Sequence, residues 1–385
     1  MELFVPSFEG ERKRSTRPAM RVLTAGTARA YIHDLLPPRP LSGRPATPDT
    51  PFILLILAPR LNAGEALVDP GLKSKGASGN HRQSFNSPLL MFVVPLPQPQ
   101  KDTDMPDFDT LIYEKPEAGI ARIWLNRPEA RNAQDTHLLY ELNDAFDIAM
   151  DDSEVKVVIL AAKGPHFSAG HDLRDINSRG SEHKRVGTWS DDKWEGSEAY
   201  YCREKEIYEG FCRRWRDLAK PTIASVHGKS IAGGLMLIWP CDFVIASDDA
   251  TFQDNTMYMG IPGVEYFAHV WELGIRKAKE FLLTGQPITA EEAQAAGMVN
   301  RVVSRDELEE ATLAFARTLS DKPSFALKLG KDAINAAFHA QGFENVQRSA
   351  FNAHHLAHTH YRLHQDGSFI DKTFMRNFQS KKKSD

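Results

Sequence analysis

The residues best placed by type and spacing to do chemistry lie in two glycine turns. One is His166-Phe-Ser-Ala-Gly170-His171-Asp172-Leu173, directly after an apolar strand pattern. The other is Gly228-Lys-Ser-Ile-Ala-Gly233-Gly234-Leu235, which follows a second strand pattern and opens a helix. Glycine lets backbone approach a ligand closely or take positive φ. A helix start presents unpaired N–H groups at the positive end of its dipole. Two such turns side by side would aim two N–H donors at one oxygen, as a reaction through an enolate requires. The pattern alone is equally that of an ordinary strand–turn–helix connection. Neither G-x-G-x-x-G nor the P-loop pattern is present, so these turns do not read as dinucleotide or phosphate cradles.

Other reactive side chains carry weaker patterns. His354, His355, His358, His360 and His364 cluster near the C-terminus, with His354 and His358 at i, i+4 on an expected helix. No H-E-x-x-H or clustered carboxylate accompanies them, so helix packing or an approach to a substrate pocket is expected rather than a metal. Cys202, Cys212 and Cys241 form no C-x-x-C pair. They give neither a disulfide framework nor a zinc spacing, and a reducing compartment is the natural reading.

The elements that must position these turns alternate. Ile120–Leu125, Val155–Ala161, Thr222–Val226 and Phe243–Ala246 read as strands, the second as a continuous apolar run typical of burial on both faces. Leu138, Leu139, Leu142, Phe146 and Met150 fall at helical spacing, as do the apolar residues from Tyr201 to Leu218, a helix that must stop before Pro221. Alternation of this kind implies βαβ units and a helix-covered sheet. Thr289-x-x-Glu292 and Ser304-x-x-Glu307 both read as capping boxes, and Gly297 suits the end of the first of these helices.

The chain of 385 residues exceeds one ordinary domain of about 100–200 residues. Fourteen of its 23 prolines lie in the first 100 residues, which hold 12 Lys+Arg against 7 Asp+Glu. No periodicity persists there, and a disordered extension is the simplest expectation. Scattered acids weaken a transit-peptide reading, though a targeting role stays open, and Met105 is an alternative start. The polar insertion Ser178–Glu198, with Trp189 and Trp194, is either a cover over a substrate or a surface excursion, and Lys381–Lys383 reads as a solvated tail. A net charge of −4 argues against a nucleic-acid binder, and the longest clean apolar run, Phe52–Ala58, is far short of a membrane span of about 20 residues. The expected location is the cytoplasm.

From about Phe108 to Phe351 the chain resembles the crotonase, or enoyl-CoA hydratase/isomerase, superfamily. The resemblance rests on Leu125-Asn-Arg-Pro-Glu-Ala-Arg-Asn-Ala133, the two glycine turns, Cys241-Asp-Phe-Val-Ile-Ala-Ser247, Met259-Gly-Ile-Pro-Gly263 and the run from Leu283 to Asn300. It implies an α/β fold, a spiral of ββα units with a helical C-terminal trimerisation region, assembled as a homotrimer or dimer of trimers. The implied division is an extension over 1–104, a spiral core over 105–300 and a helical region over 301–375. It also implies an acyl-CoA thioester substrate, held with its carbonyl oxygen between the N–H groups of His171 and Gly233. Arg127, Arg131, Ala169 and Asp172 fall in the segments that meet coenzyme A. Coenzyme A enters as part of the substrate, and no metal or other cofactor is implied.

The departures concern proton transfer. The two positions where hydratases of the family carry glutamates are Met236 and Thr256. Methionine cannot transfer a proton, and threonine is a poor base at neutral pH. Glu265, expected at the start of a helix, is the preferred replacement, with Asp254, Tyr266 and His269 as neighbouring candidates. The reading is an enoyl-CoA hydratase-type enzyme of fatty acid metabolism. Double-bond isomerisation, C–C cleavage and non-catalytic acyl-CoA binding are the alternatives.

Overall fold

The computed structural model describes residues 107–175, 186–187, 189, 196–365 and 367–373, and the backbone of four strands nearer the N-terminus. The chain divides into two units, Met1–Thr103 and Asp104–Asp385. In the first unit β1 (Glu2–Ser7), β2 (Ala19–Leu23), β3 (Phe52–Ala58) and β4 (Leu90–Pro95) pair antiparallel in the order β2-β1-β3-β4. The expectation of disorder concerns residues that otherwise lie outside those described.

The second unit holds β5 (Leu111–Glu117), β6 (Ile120–Leu125), β7 (Val157–Ala162), β8 (Thr222–Val226), β9 (Lys229–Ile231), β10 (Phe243–Ser247), β11 (Thr251–Gln253), β12 (Ile288–Thr289) and β13 (Arg301–Val303). Six of them form a sheet in the order β13-β10-β8-β7-β6-β5, and a small sheet runs β12-β11-β9. The β5–β6 pair is an antiparallel hairpin, and every other pair of the large sheet is parallel. β7 and β8 are buried at every residue because helices cover both faces. One face packs on Thr136–Asp151 and Phe211–Arg216, with Leu138, Phe146, Phe211 and Trp215 in a single core. The other face packs on Leu308–Ser320 through Leu308, Leu313 and Ala316.

Three sequence expectations are corrected. The boundary at 300/301 cuts the sheet, because β13 pairs with β10 and Leu308–Ser320 lies on the sheet face. The helices beyond it are Ser324–Ala340 and Phe343–His364. At Thr289 the expected capping box is present, with Thr289 accepting from Glu292 N–H and the Glu292 carboxylate returning to Thr289 N–H. At Ser304 it is not: the hydroxyl donates to the Glu307 carboxylate at 2.6 Å, and a 3-10 turn, Arg305–Glu307, precedes the helix. Glu265 does not begin a helix either. The helix starts at His269, and Glu265 lies in the irregular turn before it.

One feature carried no sequence signal. Between Gly196–Glu204 and Phe211–Arg216 the helix winds as a π-helix over Lys205–Gly210. The wider turn rotates the residues on either side, and π-stretches of this kind gather at functional sites. Glu204 and Tyr208 both end up buried. Among the described residues no helix is long and apolar enough to cross a membrane.

Candidate active site

The two glycine turns meet. Ser168 and Ser230 form a parallel bridge, with Ile231 N–H donating to the Ser168 carbonyl at 3.0 Å. Gln134 bridges His171 and extends its amide to the Gly233 carbonyl at 2.7 Å. Ala232 is held at φ 45°, a conformation costing about 1–3 kcal/mol in a residue with a side chain. Its N–H donates to the Gln253 carbonyl at 2.8 Å. Such bonds hold the strained residue directly before Gly233, the first residue of Gly233–Ile238. A Cβ placed on Gly233 would lie 3.2 Å from His171 N and 2.6 Å from His171 Nε2, so only glycine fits beneath the imidazole. A Cβ on Gly170 would in turn lie 3.2 Å from Gly233 N. Among the described residues neither His171 N–H nor Gly233 N–H has a protein acceptor.

The His171 ring forms a wall of this site. It stacks on Tyr208 with centroids 3.9 Å apart and planes 8° from parallel. Burial lowers its pKa to about 4, so the imidazole is neutral at pH 7. Its Nδ1 stands 3.8 Å from Glu265 Oε1. The Glu265 side chain is 4 % exposed, and its Oε1 is also 3.5 Å from His354 Nε2. Burial, with the charge of Glu204, pushes the Glu265 carboxyl well above the usual range. Burial would raise Glu204 as well, but its contact with His355 Nε2 at 3.1 Å and the neighbouring imidazoles hold it at about 2. Burial lowers His354 to about 3. Burial thus favours the neutral form of Glu265, and the imidazoles favour the ionised form of Glu204.

The remaining candidates fall elsewhere. Asp254 is fully buried and already accepts from Thr256 N–H, Thr256 Oγ1, Val264 N–H and His269 Nε2 at 2.6–3.2 Å. It fastens the Met259–Gly263 turn and has no lone pair to spare for a substrate, which corrects the catalytic expectation. His269 gives its Nε2 to the same bond, its ring packed against Trp239 and Phe267. Tyr266 turns away, its hydroxyl accepting from Arg216 Nε at 3.3 Å and its ring packed on Phe343. Met236 lies in the core, and Thr256 holds Gly263 N–H at 3.1 Å, so neither vacated glutamate position offers a proton.

The basic residues divide likewise. Arg127 is taken by Asp135 at 2.8 Å and Asp172 at 3.3 Å. Asp172 also binds Arg174 at 2.7 Å, and that bond, ahead of the others, lowers its pKa to about 2. Both brace the loop rather than face a ligand. Ala169 donates its N–H to the Arg131 carbonyl at 2.9 Å. Arg131 is exposed, and with the exposed Lys229 its charge helps, after burial, to lower the pKa of His166 between them. Sequence reasoning missed Lys229 and Glu204. Lys229 sits in the second glycine turn and was readable there; Glu204 depends on packing. Val186 and Gly187 of the insertion donate their N–H groups to Glu206 at 2.9 Å, which fastens that part of the loop to the π-stretch.

Known proteins share this arrangement of chain. The family model described as Enoyl-CoA hydratase/isomerase matches residues 115–374. EchA13 of Mycobacterium tuberculosis, which carries an enoyl-CoA hydratase name, is 44 % identical over 262 residues, 66 % of this chain and 82 % of that protein. The Danio rerio enoyl-CoA hydratase domain-containing protein 3, mitochondrial, is 32 % identical over 231 residues, 60 % of this chain and 74 % of that protein. The crystal structure of a probable enoyl-CoA hydratase from Mycobacterium smegmatis superposes with a TM-score of 0.62 at 45 % identity, covering 68 % of this chain and 99 % of that one.

Proposed function

This chain belongs to the enoyl-CoA hydratase/isomerase family, and from that premise we propose that it binds an acyl-CoA thioester and stabilises the thioester enolate between the N–H groups of His171 and Gly233. Its fold is the α/β crotonase fold with a helical C-terminal region. One observation carries the reading: two unpaired amides, from turns distant in sequence, stand so close that a single methyl on Gly233 would touch both the backbone and the ring of His171. Donors fixed in place before charge develops are worth about 10²–10³ in rate each.

Glu265 is the proton carrier in this reading. It is the carboxyl facing the His171 ring, and the positions of Met236 and Thr256 leave that role open. Arg131 and Lys229 receive the phosphates of coenzyme A on the exposed side of the turns. The reaction is hydration of the enoyl double bond. A double-bond shift is the second reading, favoured by the single carboxyl beside His171, since one group can take a proton from one carbon and return it to another.

The assembly in this reading is a homotrimer or dimer of trimers. Ser324–Ala340 buries only Lys331 and Asn335, while Phe325 and Leu329, one turn apart on one face, stand exposed. An apolar helix face of this size calls for a partner, and a second copy of the chain supplies it.

The test is a panel of enoyl-CoA thioesters incubated with the full chain, following loss of the conjugated chromophore and the product mass. A mass gain of one water supports hydration, and a shifted double bond at constant mass supports isomerisation. Gly233→Pro, which deletes the proposed N–H donor at the first helical position, should lower turnover by about 10²-fold or more, with thermal unfolding of the variant as the control for folding. Binding without turnover across the panel leaves only a carrier of acyl-CoA.

A further inference from the structure

Where Phe343–His364 packs against Gly196–Glu204, three side chains bring lone pairs to one point. Nδ1 of His354 lies 2.8 Å from the Gly263 carbonyl oxygen, and Nδ1 of His358 lies 2.6 Å from that of Phe369. A carbonyl only accepts, so each ring carries its proton on Nδ1 and leaves Nε2 as an acceptor. These two Nε2 atoms face each other at 2.8 Å. Glu204 sends a carboxylate oxygen to 3.9 Å from His354 Nε2, and the three ligand atoms all lie within 4.8 Å of one another. The side chains of His354 and Glu204 are 5 % and 3 % exposed. Glu204 Oε2 stands 3.1 Å from His355 Nε2, and a carboxylate oxygen in such a contact keeps a second lone pair for a ligand.

These acceptors, buried on His354 and Glu204 and half-buried on His358, repel one another unless a cation joins them. We propose that Glu204, His354 and His358 form a binding site for a divalent transition-metal ion, with zinc preferred. Two imidazoles and a carboxylate are a zinc donor set, and an i, i+4 pair places both rings on one helix face. The two backbone carbonyls on Nδ1 are the outer partners that orient ligating histidines. A separation of roughly 3.3 Å between the Nε2 atoms suits tetrahedral bonds of roughly 2.0–2.1 Å, so a small rotation of the rings completes the geometry. The same feature lacks such a case elsewhere: Asp109, His137 and Glu141 also lie close together. There Glu141 is occupied by the N–H groups of Asp109 and Thr110 and by the Thr110 hydroxyl, and Asp109 is exposed. The site adjoins Glu265, whose Oε1 lies 3.5 Å from His354 Nε2, and its test reads metal retention rather than the reaction assigned above.

The experiment uses the full chain, stripped with a chelator, desalted, incubated with zinc or cobalt(II) and desalted again. Elemental analysis should find about one zinc per chain, and cobalt should give the visible absorption of a four-coordinate site. His358→Ala and Glu204→Gln should each lower retained metal at least about tenfold, whereas His137→Ala should retain it. Zinc should raise the thermal midpoint of the wild-type chain and leave that of Glu204→Gln unmoved. The proposal is overturned if the stripped wild-type chain retains no zinc, as a proton shared between the two imidazoles would dictate. It is equally overturned if all three variants retain metal like wild type, or if only His137→Ala loses it. Should His358→Ala fail to fold, the Glu204→Gln comparison and the wild-type cobalt spectrum still decide.

Discussion

Single residues divide into those that hold the loops and those left free to react. Glu265 is of the second kind: its Oε2 is buried without a partner, and its other oxygen faces His171 and His354. Glu265→Gln keeps the shape and removes the proton. Turnover of the enoyl-CoA panel should fall by about 10²–10⁴-fold, while calorimetric affinity for a saturated acyl-CoA stays within about twofold. Asp172 is of the first kind. Its bond to Arg174, followed by the backbone and Arg127 contacts, lowers its folded pKa from 3.8 to about 2. A lowered carboxyl stabilises the fold above its unfolded pKa and loses that contribution as pH falls toward its folded one. Urea unfolding should therefore find Asp172→Asn less stable than wild type at pH 6, by below about 1 kcal/mol given the exposure of Arg174, with the gap closing between pH 4 and pH 2. The two glycine turns were readable in the sequence because a glycine turn is a local property, whereas the pairing of His171 with Gly233 was implied by the resemblance. The opposition of Glu204 and Glu265 was not readable, because neither carries a local sign of what it will be buried against.

Elements show the same division. β7 and β8 were legible because burial on both faces leaves a continuous apolar run, and the helix at Thr289 because its cap lies within four residues. Ser304 has the same spacing but a different outcome, since its hydroxyl prefers the Glu307 carboxylate over the backbone. Thr289→Ala should accordingly cost about 1 kcal/mol in urea unfolding, and Ser304→Ala only a few tenths, because only the first removes a partner from a helix N–H. The π-stretch Lys205–Gly210 was invisible: its sequence continues the apolar helical spacing, and the extra residue in the turn is chosen by what Glu204 and Tyr208 meet inside the molecule.

For the whole molecule, the exposed apolar face of Ser324–Ala340 has a measurable consequence. Phe325, 72 % exposed, contributes nothing to the core of one chain, so Phe325→Asp should leave the unfolding of a monomer nearly unchanged. In sedimentation it should shift the species from a trimer or hexamer toward a monomer; a wild-type chain that sediments as a monomer removes the proposed assembly. Strand and helix alternation, the two glycine turns and the absence of glutamate at positions 236 and 256 could all be read along the chain, because each depends on neighbours a few residues away. The pairing of β13 into the main sheet, the closeness of the two amides and the meeting of Glu204, Glu265 and His354 could not. These last depend on which distant surfaces share one dry interior, and packing settles that through the free energy of burying the whole set together.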